Sequence, residues 1–176
     1  VAEARLYVTA LGLYTLELNG RPVGQDHLTP GFTSYDFRVQ YQVYDITPHL
    51  VPGENCLGAI LGDGWYRGRL GFVKQRNNYG DRVVLLAQLQ VTYADGTRET
   101  LCTDDRWRAA QGPIRQAELY DGEVYDARLE PPGWSSPGFD DTAWRPVLYL
   151  PTPLIQREAS GPLVRRQGEL DRKSTR

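Results

Sequence analysis

The side chains that could take part in catalysis are few and far apart. His27 and His49 have no nucleophile or metal ligand at a recognisable spacing. Two acidic pairs occur, Asp104-Asp105 and Asp140-Asp141, but adjacent strand residues point to opposite faces, so neither pair forms a facing acid and base. Both pairs lie in turns, where Asp commonly caps the backbone. We therefore predict no catalytic residues in this chain.

Residue types that bind ligands are more abundant, and one glycine-rich stretch, residues 61–72, holds several of them. It carries Trp65, Tyr66, Arg67 and Phe72. We predict a surface excursion, since the stretch is too rich in glycine for a helix and glycine permits close backbone approach. Its flat rings suit stacking on a sugar ring or on a neighbouring domain. A structural role, plugging the end of a β-sandwich, is the more frequent use of such rings.

Two polar loops, residues 25–29 and 74–81, could meet at one end of the sandwich. They supply oxygen donors of the kind that calcium takes, with Asp26 and Asn77 as the candidate metal ligands. Their spacing matches no EF-hand, and solvated amides and turn caps explain the same residues. Aromatic faces and planar donors also suit sugar hydroxyls. The candidate carbohydrate-binding residues are Gln25, Asp26, Trp65, Tyr66, Arg67, Arg76, Asn77, Asn78 and Tyr79.

The elements that would position these loops are short strands. The segment 13–18 alternates cleanly, with Tyr14, Leu16 and Leu18 on one face, and Asn19-Gly20 after it is a hairpin signal. Residues 83–93 are apolar in both registers, which is typical of a strand in the middle of a sheet. Residues 47–50 indicate a short helical turn. About ten such strands with frequent turns predict an all-β sandwich of antiparallel strands over residues 1–150. Residues 151–176 read as an extended C-terminal tail, a linker or the start of a further domain.

Composition excludes several classes of partner. The chain has 176 residues, about one domain, and a net charge of −2, which argues against a nucleic-acid partner bound through a basic face. Apolar runs fall short of the ~20 residues that span a bilayer, so no membrane partner is expected. Cys56 and Cys102 lie in apolar strand candidates, so we predict buried free thiols, although one disulfide is possible. The chain begins at Val1 and contains no Met, which indicates an interior fragment of a longer protein.

Several motifs, in order along the chain, resemble the N-terminal β-sandwich domain of bacterial α-L-rhamnosidases. The most specific are Gly-Asp-Gly-Trp-Tyr-Arg-Gly-Arg-Leu-Gly at residues 62–71 and Tyr-Asp-Gly-Glu-Val-Tyr-Asp-Ala-Arg at residues 120–128. The Phe-Asp-Asp-x-x-Trp ending at residues 139–144 is shared more widely by jelly-roll sugar-binding modules. The resemblance extends over roughly residues 5–170 and includes residues 5–14, 18–24, 30–35, 38–47, 52–55, 79–82 and 93–97.

This resemblance implies a galactose-binding-like jelly roll that accompanies a glycoside hydrolase. The family removes terminal L-rhamnose by inversion, with catalytic carboxylates in a separate (α/α)6 barrel, so this chain would be a non-catalytic accessory domain. In some members the matching domain holds L-rhamnose with a calcium ion, through loops that correspond here to Gln25-Asp26 and residues 76–79. The expected partners are rhamnose-containing glycans or glycosides and the catalytic domain of the same polypeptide. A purely structural module packed against that barrel is the alternative.

Overall fold

The computed structural model describes residues 1–72 and 75–150. The predicted tail, residues 151–176, lies outside the described residues, as does Lys74 of the second polar loop. The described strands are β1 (Glu3–Leu11), β2 (Leu13–Leu18), β3 (Arg21–Pro22), β4 (Gln42–Asp45), β5 (Leu57–Gly62), β6 (Val84–Thr92), β7 (Arg98–Cys102), β8 (Arg108–Ala109), β9 (Ile114–Glu118), β10 (Gly122–Tyr125) and β11 (Arg145–Pro146). The helices are one α-helical turn, α1 (Gly64–Arg67), and two 3-10 turns, Thr47–His49 and Ala127–Leu129.

The strands form two main antiparallel sheets. One has the order β4-β1-β6-β7 and the other the order β3-β2-β5. Two further antiparallel pairs, β9–β10 and β8–β11, are separate from them. This arrangement confirms the predicted all-β jelly-roll sandwich. No helix in the described ranges has the length and apolar character needed to cross a bilayer.

The core lies between β1 and β2, one strand from each sheet. Alternate residues of β1 (Ala4, Leu6, Val8 and Ala10) point inward and are almost fully buried. They pack in one apolar cluster with the inward residues of β2, which are Tyr14, Leu16 and Leu18. Burying one such Leu or Val contributes about 1.5–3 kcal/mol. This face is the one that the alternation of residues 13–18 predicts.

Two tight turns flank β2, and the first of them takes the chain from one main sheet to the other. Gly12 has φ +129° between β1 and β2, and a Cβ there would lie 2.5 Å from the carbonyl oxygen of Gly62. Only glycine fits this corner. Asn19 and Gly20 both have positive φ, 54° and 73°, and join β2 to β3 where Leu18 pairs with Arg21. The predicted Asn-Gly hairpin is therefore confirmed.

Of the other local predictions, two are confirmed and one is wrong. Strand β6 lies between β1 and β7, as its apolar sequence predicts, and Thr47–His49 forms the expected helical turn. Both cysteines are free, but the prediction that both are buried is wrong, since Cys56 is half-buried and Cys102 is exposed. Cys102 is exposed because β7 is the edge strand of its sheet, and all its residues are exposed.

Candidate functional site

The glycine-rich stretch contains a helical turn, so the prediction of a non-helical excursion is wrong for residues 64–67. The N–H of Arg67 donates to the carbonyl of Asp63 at 3.2 Å, and the N–H of Gly68 donates to that of Gly64 at 3.0 Å. One turn needs only these bonds, and packing of its rings compensates for the low helix propensity of glycine. Helix α1 places Trp65 and Tyr66 at the end of the sandwich where β5 finishes.

Five rings from three segments form what we call the aromatic cluster: Phe32, Tyr35, Trp65, Tyr66 and Tyr79. The Tyr35 ring lies 5.1 Å from Tyr66 and 5.0 Å from Tyr79, between ring centres. Tyr66 and Tyr79 stack at 6.4 Å, and Phe32 lies 5.9 Å from Trp65. The structure thus brings together three of the predicted site residues, Trp65, Tyr66 and Tyr79.

The cluster has a buried part and an exposed edge. Tyr35 is 3% exposed and Tyr66 is 8% exposed, whereas Phe32 is 53% exposed and Trp65 is partly exposed. Burial, with smaller effects from Tyr79 and Tyr66, raises the pKa of Tyr35 to about 12. Burial also raises the pKa of Tyr66, with the charges of Asp81 and Asp36 adding to it. Tyr35 and Tyr66 therefore support the cluster, and Phe32 and Trp65 form its accessible face.

An ion-pair network joins the glycine-rich stretch to the second polar loop. Asp63 accepts from Nη1 of Arg67 at 3.0 Å and from Nη2 of Arg76 at 2.5 Å. The other Nη of Arg76 donates to Glu118, at the end of β9. The two predicted arginines are therefore held by shared carboxylates, and their side chains remain 39% and 45% exposed.

The loop that carries Gln25 and Asp26 lies over a buried polar group. The Tyr14 hydroxyl donates to Oε1 of Gln42 at 2.7 Å and lies 3.3 Å from the Tyr44 hydroxyl. Burial is the largest of the causes that raise the pKa of Tyr14. The neighbouring Tyr44 raises it further, and the charge of Asp26 adds a smaller increase. Gln25 is exposed and Asp26 is half-buried.

The second polar loop returns against α1 through its backbone. The N–H of Asn77, which has φ 58°, donates to the carbonyl of Arg67 at 2.8 Å, and the N–H of Tyr79 donates to that of Tyr66 at 3.3 Å. Nδ2 of Asn78 donates to the carbonyl of Gln75 at 3.3 Å. Asn77 and Asn78 are exposed, so their side chains face solvent beside the aromatic cluster.

The donors near these loops fit calcium incompletely. No group of three or more His, Cys, Asp or Glu side chains capable of holding a metal occurs within the described ranges. Calcium takes six to eight oxygens. Asp26 supplies a carboxylate and Asn77 an amide oxygen, so further oxygens would have to come from backbone, water or a ligand.

A second aromatic region lies on the side of the sandwich, and we call it the apolar groove. It is an open groove of about 930 Å³ between β5, β6 and the segments that carry the remaining tryptophans. Its apolar lining includes Leu57, Leu61, Leu85, Trp107, Trp134, Phe139, Trp144, Leu148, Tyr149 and Leu150. Phe139 and Trp144, from the Phe-Asp-Asp-x-x-Trp motif, meet edge to face at 5.3 Å.

Sequence reasoning did not identify Phe32, Tyr35, Asp63 or Glu118 as site residues. Asp63 could have been found, since it stands beside Trp65 in the singled-out stretch. Glu118 lies 42 positions from its partner Arg76, and no local pattern connects them.

By its fold and site, the chain is an all-β jelly-roll domain with an aromatic and arginine-rich loop cluster at one end. The family model described as "Alpha-L-rhamnosidase N-terminal domain" matches residues 1–167. The chain belongs to this family. This result confirms the resemblance seen in the motifs.

Individual relatives agree with the family. An α-L-rhamnosidase of Streptomyces avermitilis is 56% identical over 147 residues, which cover 84% of this chain and 14% of that protein. Its crystal structure in complex with L-rhamnose matches 83% of this chain and 14% of that one, with a TM-score of 0.81. The native α-L-rhamnosidase from Aspergillus terreus matches with a TM-score of 0.82 at 42% identity, over 89% of this chain and 18% of that one. The chain thus spans about one seventh of the Streptomyces relative.

Proposed function

We propose that this chain is a non-catalytic accessory domain of a longer α-L-rhamnosidase and that it binds L-rhamnose. The observation that carries the proposal is the accessible face of the aromatic cluster, Trp65 and Phe32, next to Arg67 and Arg76 at the loop end of the sandwich. The apolar face of a sugar ring packs on such rings. The family of the chain and the L-rhamnose complex of the Streptomyces relative favour this sugar.

The charges around the face suit a neutral, hydroxyl-rich ligand. Arg67 and Arg76 share the carboxylate of Asp63, and Arg76 also pairs with Glu118, so two carboxylates balance the two guanidinium charges. A guanidinium has five N–H donors, and the ion pair of Arg67 with Asp63 uses Nη1. Asn77 and Asn78 add exposed amides that both donate and accept.

We propose that calcium binds together with the sugar, whose hydroxyls help to complete the coordination shell of the ion. Asp26 and Asn77 would contribute two oxygens, and sugar hydroxyls would supply others. Calcium should therefore tighten sugar binding without binding well by itself.

Isothermal titration of L-rhamnose into the 176-residue chain, with calcium and with a chelator, tests the sugar proposal. One monosaccharide offers few atoms, so we expect a Kd on the order of millimolar. Trp65→Ala should weaken binding about 2- to 12-fold, because an aromatic contact contributes roughly 0.5–1.5 kcal/mol. Tyr149→Ala, an exposed ring in the apolar groove, is the matched control. No heat at tens of millimolar sugar would refute the proposal.

The absence of catalysis has its own test. Hydrolysis with inversion requires two carboxyl groups about 6.5–9.5 Å apart on either side of the bond. We infer that the parent enzyme supplies these outside this chain. The chain alone should release no nitrophenol from nitrophenyl α-L-rhamnoside above the buffer rate, whereas measurable turnover that survives repurification would contradict the inference.

The apolar groove favours a second candidate function, a structural module that packs on the catalytic domain of the same polypeptide. Its tryptophan-lined surface, together with exposed Leu148 and Tyr149, forms a contiguous apolar surface. Such a surface indicates an interaction site, whereas apolar residues scattered singly do not. This function predicts concentration-dependent self-association of the isolated chain in sedimentation experiments. A chain that stays monomeric at about 0.5 mM would count against it.

A further inference from the structure

Glu118 is a buried carboxylate that neither catalysis nor direct sugar contact explains. Its side chain is 2% exposed at the end of β9. One carboxylate oxygen accepts from Arg76, and the other accepts from the backbone N–H of Arg69 at 2.9 Å. A carboxylate this deeply buried is stabilised only by paired, hydrogen-bonded partners, and both of its oxygens have them.

The contacts of Glu118 reach both segments that form the candidate site. Arg69 follows α1 in the glycine-rich stretch, and Arg76 lies in the second polar loop. Arg76 connects in turn to Asp63 at 2.5 Å, so one guanidinium bridges two carboxylates from separate elements. Arg76 thereby fixes the start of the segment whose next residues, Asn77 and Tyr79, donate backbone hydrogen bonds to carbonyls of α1.

The β9–β10 hairpin anchors Glu118 from outside the site. The guanidinium of Arg69 pairs with Asp121 at 2.5 Å and lies 6.0 Å from the ring centre of Tyr120. These contacts join the glycine-rich stretch to the hairpin a second time. The hairpin itself contributes none of the predicted sugar-binding residues.

We propose that Glu118 is a positioning residue: through Arg76 and Arg69 it holds residues 76–79 against α1 in the shape that binds the sugar. Its role in affinity rests on the proposed function above, while its role in holding the loop does not. An amide cannot replace it, since both oxygens face donors and a Gln must turn its NH2 toward one of them.

Two measurements on the 176-residue chain test this role. In Glu118→Gln, amide hydrogen exchange of Asn77 and Tyr79 should rise at least about tenfold, because loss of a charge-assisted bond frees the loop. Exchange in β1 and β6 should stay unchanged. The Kd for L-rhamnose should rise about 5- to 10-fold. Glu123→Gln, on exposed β10 of the same hairpin, is the matched control and should alter neither quantity.

A second variant keeps the test decisive if Glu118→Gln fails to fold. Arg76→Lys retains the positive charge but, as a single ammonium, does not bridge two carboxylates like a guanidinium, so it should give the same change in exchange. Unchanged exchange at Asn77 and Tyr79 in a folded variant overturns the positioning role, whatever the sugar affinity. Faster exchange with unchanged affinity overturns its link to binding. Faster exchange in a chain that binds no rhamnose refutes the sugar proposal and leaves the positioning role in place.

Discussion

The aromatic cluster and the apolar groove use the same residue types in different ways. In the cluster, rings pack mainly on one another, and Tyr35 and Tyr66 are buried. The neighbouring arginines are matched by Asp63 and Glu118. In the groove, three tryptophans line an open space of about 930 Å³, and nearby Leu148 and Tyr149 are 66% and 61% exposed.

This difference bears on which region suits a small ligand and which suits contact with another domain. Because the rings of the cluster pack on one another and its charges are paired, its face is rigid. A rigid face loses less conformational entropy when it binds a small polar ligand. A groove that leaves apolar surface open is stabilised by covering that surface. We therefore propose that sugar binds at the cluster and that the groove packs against the rest of the polypeptide.

The strongest test of the cluster as a packed unit is Tyr66→Ala. Removing this buried ring leaves a cavity between Tyr35 and Tyr79, so the free energy of unfolding should fall by about 3–5 kcal/mol. Urea denaturation measures the change. Tyr66→Phe keeps the ring and should cost about 1 kcal/mol or less, and a loss below 1 kcal/mol for the alanine variant would show that the cluster is not packed.

Alkaline pH should distinguish the two regions next. The pKa of Tyr35 is raised by burial from 10 to about 12, so folding favours its protonated form. Its contribution to stability is complete below pH 10 and is lost as pH rises from 10 to 12, by up to roughly 2–3 kcal/mol. Unfolding followed between pH 9 and 12 should show a shallower decline in Tyr35→Phe. An unchanged slope would mean that Tyr35 does not titrate in this range.

In the groove, Gly58→Ala tests how closely β5 meets Trp134. A Cβ at Gly58 would collide with the six-membered ring of Trp134. Such overpacking costs about 1–3 kcal/mol, which thermal or urea unfolding detects. Gly112→Ala is the control, since a Cβ there meets nothing within 4 Å. If both variants unfold alike, Trp134 does not hold the position described.

The smallest expected effect concerns the partly exposed ion pairs of the cluster. Asp63→Asn removes the charge that Arg67 and Arg76 share, and the free energy of unfolding should fall by about 1 kcal/mol or less. The loss should shrink at 1 M salt because the pairs are screened. Asp105→Asn, in an exposed turn, supplies the baseline. A loss that does not depend on salt would indicate lost packing instead of lost charge.

The sequence predicts the strands of this domain better than its site. The buried face of β2, the Asn19-Gly20 hairpin and the central position of β6 all follow from local periodicity and turn chemistry. Helix α1 does not, because tertiary packing of Trp65 and Tyr66 overrides the low helix propensity of their glycine neighbours.

The candidate site shows the same limit at longer range. Arg67, Arg76 and Tyr79 stand out by type, yet the pairing of Arg76 with Glu118 spans 42 positions and depends on how β9 meets the loop. The exposure of Cys102 likewise depends on β7 being an edge strand, which the composition of that strand alone does not indicate.

The four tryptophans provide the most direct test of the central claim that L-rhamnose binds at the aromatic cluster. Trp65 lies in the cluster, and Trp107, Trp134 and Trp144 line the groove. In a two-dimensional ¹H–¹⁵N spectrum of the 176-residue chain, assigned with Trp65→Phe, rhamnose with calcium should shift the indole N–H signal of Trp65 and leave the other three in place. Shifts confined to the groove tryptophans, or no shift at tens of millimolar sugar, would contradict the claim.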